Sequence, residues 1–159
     1  MSMQNSEIDS VKVLVCGAGS IGIRHIKNLQ LLGIDVSVWR NRSNLIYKLK
    51  DELGVKVYSS IEEAIDNADA VVIATVTSDH IELALKAAKM GKHIFIEKPI
   101  SNTLYSLNEL KNLVQKKQLI FEVGCQLRAH PDAQEQAPGL RSQGLHPCLT
   151  FHREILNSV

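Results

Sequence analysis

The sequence predicts an α/β chain with a doubly wound parallel sheet, covered by helices on both faces, followed by only the beginning of a second α/β domain. Three observations carry this reading. Short β-branched apolar runs alternate with amphipathic stretches from Val11 to Val123, the first run ends in a glycine-rich turn, and the alternation stops after Gly124. Apolar runs without polar alternation suit strands buried on both faces, and strands separated by helices pair in parallel through right-handed crossovers.

The elements follow in order. Val11-Lys12-Val13-Leu14-Val15-Cys16 reads as the first strand. A helix begins at Ser20, with Ile26, Leu29 and Leu32 as its apolar side chains and Gly33 as its stop. Asp35 to Trp39 is the second strand, so strand, helix and strand together have the size of a βαβ unit. Ser43 can cap a helix reaching about Leu53, Lys56-Val57-Tyr58 is a short strand, and Ser60-Ile61-Glu62-Glu63 has the form of a capping box. Asp69 to Ala74 is another buried strand. Ile81, Ala84, Leu85 and Ala88 predict a helix from about Ser78 to Met90, stopped by Gly91. His93 to Ile96, an amphipathic helix marked by Leu107, Leu110 and Val114, and the strand Leu119 to Val123 complete the alternation.

Composition narrows the function classes. The chain has 159 residues, enough for one domain or one domain with a fragment of another. With 18 Lys+Arg against 17 Asp+Glu the net charge is +1, so no strong field gathers nucleic acid or an anionic membrane. Cys16, Cys125 and Cys148 are too few and too far apart for a disulfide framework or a paired-cysteine zinc site, which points to a reducing interior. The N-terminus lacks the basic start and apolar core of a signal peptide, and no stretch approaches the ~18 apolar residues of a membrane span. The expectation is a soluble, cytoplasmic protein with no metal, nucleic-acid or membrane partner; a homo-oligomer is compatible with the sequence.

Gly17-Ala18-Gly19-Ser20-Ile21-Gly22 is G-x-G-x-x-G, set directly between a predicted strand and a predicted helix. The first glycine permits a tight turn, the second lets backbone approach a pyrophosphate, and the third lets helix pack on strand, while the helix N–H groups and dipole face the anion. A ligand-free turn is the plain alternative, but the setting favours dinucleotide binding on a Rossmann domain. At the tip of the second strand, where an acid would accept from an adenosine ribose, stand Trp39-Arg40-Asn41-Arg42-Ser43. Arg40, Arg42 and the Ser43 hydroxyl can instead donate to a 2′-phosphate, which favours NADP(H) with NAD(H) as the other candidate. The alternative is two solvated arginines and a helix cap.

Two further strands end on the same carboxyl edge. Thr75, Val76, Thr77 and His80 follow one of them and can line a cofactor cleft; equally, Thr77 or Ser78 can cap the next helix with His80 in its first turn. Glu97-Lys98-Pro99 ends the other. Lys98 there would face the nicotinamide, where partial burial and cationic neighbours can adapt a lysine to proton transfer. On spacing alone, a solvated lysine before a turn proline is the better explanation.

With Ala74-Thr75 and His80, Gly91-Lys92-His93, and above all Glu97-Lys98-Pro99-Ile100-Ser101, residues from about Val11 to Pro131 resemble the Gfo/Idh/MocA oxidoreductases. The Glu-Lys-Pro element is much more specific than the glycine turn. The resemblance implies a Rossmann domain followed by a larger α/β domain with an open antiparallel sheet, and hydride transfer on sugars, cyclitols, nucleotide sugars or related compounds. It implies that Lys98 contacts the reacting hydroxyl or carbonyl as a catalytic residue, that Glu97 lies near the nicotinamide ribose, that Gln126 belongs to the cofactor site, and that the Lys98–Pro99 peptide is cis. Val76 stands where the family often has proline. Gly124-Cys125-Gln126-Leu127-Arg128-Ala129-His130-Pro131 resembles the crossover into the second domain, with Ala129 in place of a usual aromatic.

The division expected is therefore a flexible N-terminus at 1–10, an NAD(P)-binding domain at 11–124, and a crossover with a partial C-terminal domain at 125–159. The family's catalytic histidine and most substrate ligands belong to a domain these residues do not include, so the chain reads as a truncated form, inactive alone, of an enzyme acting on a small-molecule substrate. A non-catalytic dinucleotide-sensing or interaction module is the alternative. A methyltransferase using S-adenosylmethionine is disfavoured, because the second strand tip lacks a ribose-binding acid. His25, His93, His146 and His152 form no ligand spacing and read as structural or solvated, Cys16 reads as a small core residue, and Cys125 has no paired base.

Overall fold

The computed structural model describes residues 11–40 and 46–124. Within them the chain runs β1 (Lys12–Cys16), α1 (Ser20–Leu31), β2 (Asp35–Trp39), α2 (Ile46–Leu53), β3 (Lys56–Tyr58), α3 (Ile61–Asp66), β4 (Ala70–Ile73), α4 (Thr77–Lys89), β5 (His93–Glu97), α5 (Leu107–Lys116) and β6 (Phe121–Gly124). The six strands form one sheet in the order β3-β2-β1-β4-β5-β6, and every pair is parallel. This is the doubly wound Rossmann sheet the sequence predicts.

Strand pleating divides the core into two layers. Val13 and Val15 of β1, Val36 and Val38 of β2, Ala70 and Val72 of β4 and Phe95 of β5 face Ile26 and Leu29 of α1. Leu14, Cys16, Val71, Ile73, Ile94 and Ile96 face the opposite layer, built from Ile61, Ala64 and Ile65 of α3, Leu83, Ala84, Ala87 and Ala88 of α4, and Leu110 of α5. Each fully buried Val, Leu or Ile stabilises the fold by about 1.5–3 kcal/mol, so both layers contribute substantially.

Several boundaries and faces differ from expectation for local reasons. Leu32 is half exposed as the C-cap of α1, whose buried side chains are His25, Ile26 and Leu29. An every-third spacing drifts about 60° per step around a helix of 3.6 residues per turn, which carries Leu32 off the core stripe. The buried face of α4 is centred on His80, Leu83, Ala84, Ala87 and Ala88, with Ile81 and Leu85 only partly buried. Small alanines let that helix lie close to the strands, so the larger residues reach in from its flank. Neither Thr77 nor Ser78 caps α4: Val76 is the N-cap, Thr77 begins the helix, and the Ser78 hydroxyl donates to Asp79 at 3.0 Å. Ser60 does cap α3, accepting the Glu63 N–H at 3.2 Å. Strand β6 begins two residues later than expected because the chain is still leaving α5, with Gln118 at φ 54° and the Leu119 N–H bonded to the Val114 carbonyl.

The glycine turn is held by backbone against backbone. A Cβ on Gly22 would lie 2.0 Å from the Gly17 carbonyl oxygen, whereas one on Gly19 would meet none of the described residues within 4 Å. Gly22→Ala is therefore expected to destabilise the domain by about 2 kcal/mol or more, and Gly19→Ala to change stability by no more than about 1 kcal/mol. Urea denaturation of the two variants measures the difference; equal effects would contradict this account of the turn.

Candidate dinucleotide site

The order of the sheet reverses between β1 and β4, and their connections leave toward opposite faces. A crevice opens at that point beyond the carboxyl ends of the strands. Gly17 sits at its floor with φ +100°; its N–H donates to the Trp39 carbonyl at 2.9 Å, and an added Cβ would lie 2.6 Å from the Ala74 carbonyl oxygen. The turn is clamped between the ends of β2 and β4, which only glycine permits. Gly22 is needed for the packing of α1 on that turn. Gly19 has no such internal reason: it is the N-cap of α1 in extended backbone, φ −76° and ψ −174°. No side chain caps α1 and no acid stands in its first turn. Among the described residues, nothing fills the space above Gly19 that the leading N–H groups and positive dipole end of α1 face, an arrangement that fits a pyrophosphate.

Beside the turn lies a cleft of about 230 Å³, lined by Ile21, Ala74, Thr75, Thr77, His80, Glu97 and Lys98. Of the expected site residues, the fold thus brings Ile21, Thr75, Thr77, His80, Glu97 and Lys98 into one cleft, beside Gly17, Gly19 and Gly22. Ala18 is buried under the turn and Ser20 is exposed at the start of α1. Val76 stands exposed at α4, with φ −71° close to the value proline would fix, so valine adopts the loop geometry expected there of a proline. Arg40 directly follows Trp39, next to the clamped turn, and is partly exposed. Arg42, Ser43 and Gln126 lie outside the described residues, as do Cys125 and Cys148, His146 and His152, and the segments 1–10 and 125–159.

His80 is buried, and both ring nitrogens face carbonyl oxygens, Nδ1 that of Pro99 at 2.9 Å and Nε2 that of Thr75 at 3.2 Å. The ring ties the turn after β4 to the segment after β5. The Lys98–Pro99 peptide is cis, as the resemblance implies. Lys98 itself is exposed, so the partial burial expected of it is not supplied by the described residues.

One feature of the site escapes the sequence reading. His25, on the buried face of α1, lies with Nε2 2.7 Å from Glu97 Oε1, and its ring meets Phe95 edge-on at a centroid distance of 5.3 Å. Glu97 is 9% exposed at the end of β5. Gly124 at the end of β6 leaves room for its carboxylate, since a Cβ there would come within 2.9 Å of Oε2. Burial alone would raise the Glu97 pKa. Hydrogen bonding and charge from His25, the Lys98 backbone N–H and the charge of Arg24 outweigh it and hold the carboxyl below its usual range. A signal existed: Gly22, His25, Ile26 and Leu29 share one helical stripe, and a histidine on a buried stripe requires a polar partner.

The remaining candidates are structural. Burial pushes the Cys16 thiol far up, which leaves it a core residue and no nucleophile. His93 Nδ1 accepts the Ile120 N–H at 3.0 Å, joining β5 to the approach of β6, and burial lowers its pKa. A larger groove of about 410 Å³ between α5 and β6 is lined mainly by Ile100, Leu107, Leu110, Val114, Leu119 and Phe121 and shares no residue with the cleft. Among the described residues no helix is long and apolar enough to cross a membrane.

Comparison with known proteins agrees with this geometry. The chain is 32% identical over 123 residues to myo-inositol 2-dehydrogenase of Thermotoga maritima, covering 74% of this chain and 37% of that protein. It is 33% identical over 127 residues to scyllo-inositol 2-dehydrogenase (NAD(+)) of Bacillus subtilis, covering 76% and 37%. Among solved structures, UDP-N-acetylglucosamine 3-dehydrogenase GnnA from Acidithiobacillus ferrooxidans superposes with a TM-score of 0.75 at 25% identity, over 82% of this chain and 42% of that one. The chain thus spans little more than a third of the length of these curated relatives. Residues 11–125 match the family model GFO_IDH_MocA, described as an oxidoreductase family with an NAD-binding Rossmann fold, and the chain belongs to that family.

Proposed function

We propose that the cleft binds NADP(H), with NAD(H) as the weaker ligand, and that it is the cofactor half of an oxidoreductase acting on a sugar, cyclitol or nucleotide sugar. The observation that carries the reading is Gly19. Of the turn's three glycines, Gly17 and Gly22 are required by contacts within the fold, whereas Gly19, at an uncapped helix N-terminus, borders space that none of the described residues fills. A missing side chain there serves close approach by something outside the chain.

The other roles follow from position. Ala18, Ser20 and Ile21 complete the pyrophosphate turn, and Thr75, Val76 and Thr77 border the cleft, with Gln126 assigned there by family resemblance. The buried Glu97 carboxylate is an acceptor for ribose hydroxyls. Arg40 stands where the second strand meets the glycine turn and, with Arg42 and Ser43, supplies donors for a 2′-phosphate. The B. subtilis relative carries NAD(+) in its name, so the preference rests on this chain's own arginines. When bound, the nicotinamide supplies a site that accepts or gives a hydride. Lys98 Nζ holds or returns the proton of the substrate hydroxyl, as the catalytic residue. The names of the inositol and UDP-sugar relatives support the substrate class. His80 acts through the backbone it ties, fixing the approach to Lys98.

The exposure of Lys98 favours binding without turnover by these 159 residues alone. Holding a substrate in near-attack geometry lowers a barrier by about 7–11 kcal/mol, and no described element covers Lys98 to do so.

Three outcomes test the proposal. Arg40→Ala weakens NADPH by about 1–3 kcal/mol and NADH by less, measured by titration against Trp39 fluorescence; equal losses would refute the 2′-phosphate role. Gly19→Val abolishes dinucleotide binding and leaves the far-ultraviolet circular dichroism and urea midpoint nearly unchanged; undiminished binding would make the glycine merely structural. NADPH absorbance followed with inositols, sugars and nucleotide sugars shows no sustained turnover by the 159-residue chain, whereas turnover lost in Lys98→Ala would show that it is a complete catalyst.

A further inference from the structure

We infer that His25 is a positioning residue of the cofactor cleft, holding the Glu97 carboxylate in the orientation in which it accepts hydrogen bonds from the hydroxyls of a bound ribose. The inference rests on the dinucleotide reading of the cleft and adds a residue to it that lies outside the turn and the Glu-Lys-Pro element.

The geometry is specific. The His25 ring is 2% exposed, its orientation is set by Phe95, and its Nε2 lies 2.7 Å from a single carboxylate oxygen, Oε1. An ionised carboxylate only accepts, so Nε2 carries the proton and donates. The carboxylate is enclosed by three elements: α1 through His25, the end of β5, and the Gly124 backbone of β6, which lies against Oε2. A glutamate side chain without these contacts would have several rotamers available. A ring that does nothing but fill the core would not need a carboxylate partner, and leucine at that position would pack as well against Phe95 and avoid burying two polar groups. The pair instead joins α1, which carries the glycine turn at its start, to the strand end that carries Lys98. Both halves of the cleft are thereby fixed through one hydrogen bond.

The charged and titratable groups around Glu97 are His25 and Arg24 on α1, Lys98 beside it on the β5 end, and His80 on α4 across the cleft; on β6 the Gly124 backbone stands opposite Glu97, and Glu122, opposite Phe95, lies on the same face of the sheet. Without His25 the burial of Glu97 is less opposed, so its carboxyl protonates at higher pH and ceases to be a full acceptor. The sign follows. In the unaltered chain the acceptor persists as pH falls through the neutral range, and in a variant without the donor it is lost at higher pH than in the unaltered chain.

The test is calorimetric titration of the 159-residue chain with NAD⁺, which lacks the 2′-phosphate that would itself titrate. The unaltered chain is expected to bind with nearly constant affinity between about pH 8 and pH 5. His25→Leu is expected to bind about tenfold or more weakly at neutral pH, and progressively more weakly toward pH 5, whereas His25→Gln, which keeps a donor, recovers most of the affinity and the flat profile. Wild-type affinity and profile in His25→Leu would overturn the inference alone; no NAD⁺ binding by the unaltered chain would overturn the dinucleotide reading and this inference with it. A second measurement requires no variant to fold. The ¹³C titration of the Glu97 carboxyl in the ligand-free chain is expected to have its midpoint below the ordinary carboxylate value, and a midpoint at or above that value would overturn the inference.

Discussion

Close backbone packing at Gly17 and Gly22 is the constraint on which the rest of the site depends. Gly17 is pressed between the Trp39 carbonyl at the end of β2 and the Ala74 carbonyl at the end of β4, and Gly22 is pressed in turn on Gly17. These contacts set where α1 begins. They aim its N-terminus into the crevice at the reversal of strand order, and they place the second strand tip, with Arg40, within reach of the same space. Any Cβ in these contacts must move a strand or the helix, because the atoms it meets are backbone. The openness around Gly19 is meaningful because its neighbours in the turn are so tightly held.

The opposite wall is organised by polar ties. His80 joins Thr75 to Pro99, and His25 joins α1 to Glu97, so two buried rings connect four segments around one cleft. Buried polar groups contribute little net stability and cost much when left without partners. Their value lies in geometry: each ring allows few arrangements of the backbone or carboxylate it touches, and together they fix the wall next to Lys98. That lysine is exposed, which suits a group that meets a substrate presented by a further structural element.

The centre of the sheet was legible because β1 and β4 contain runs of apolar, mostly β-branched residues, Val13 to Val15 and Val71 to Ile73, bounded by turn residues. The cleft was legible because the carboxyl ends of parallel strands converge at the reversal point, which places Thr75, Thr77, His80, Glu97 and Lys98 together by topology alone. The cap of α4 and the centre of its buried face were not, since alanine and the choice between adjacent polar residues carry weak periodic information. His25 reads from the sequence as structural or solvated, and its place at the site is not legible there because its partner lies 72 residues away, a pairing set by tertiary packing. The exposure of Lys98 agrees with the reading from spacing alone, a solvated lysine before a turn proline, and differs from the partial burial expected of a lysine facing the nicotinamide.

The most direct test of the central claim, that a dinucleotide lies across the glycine turn and the Glu97 edge, is a titration of the ¹⁵N-labelled chain with NADPH followed amide by amide. The account predicts the largest shifts at Gly17 to Gly22, at Arg40, at Thr75 to Thr77 and at Glu97 and Lys98, with the amides along the groove of α5 and β6 unmoved. Shifts centred on that groove, or none in the glycine turn at saturating NADPH, would contradict it.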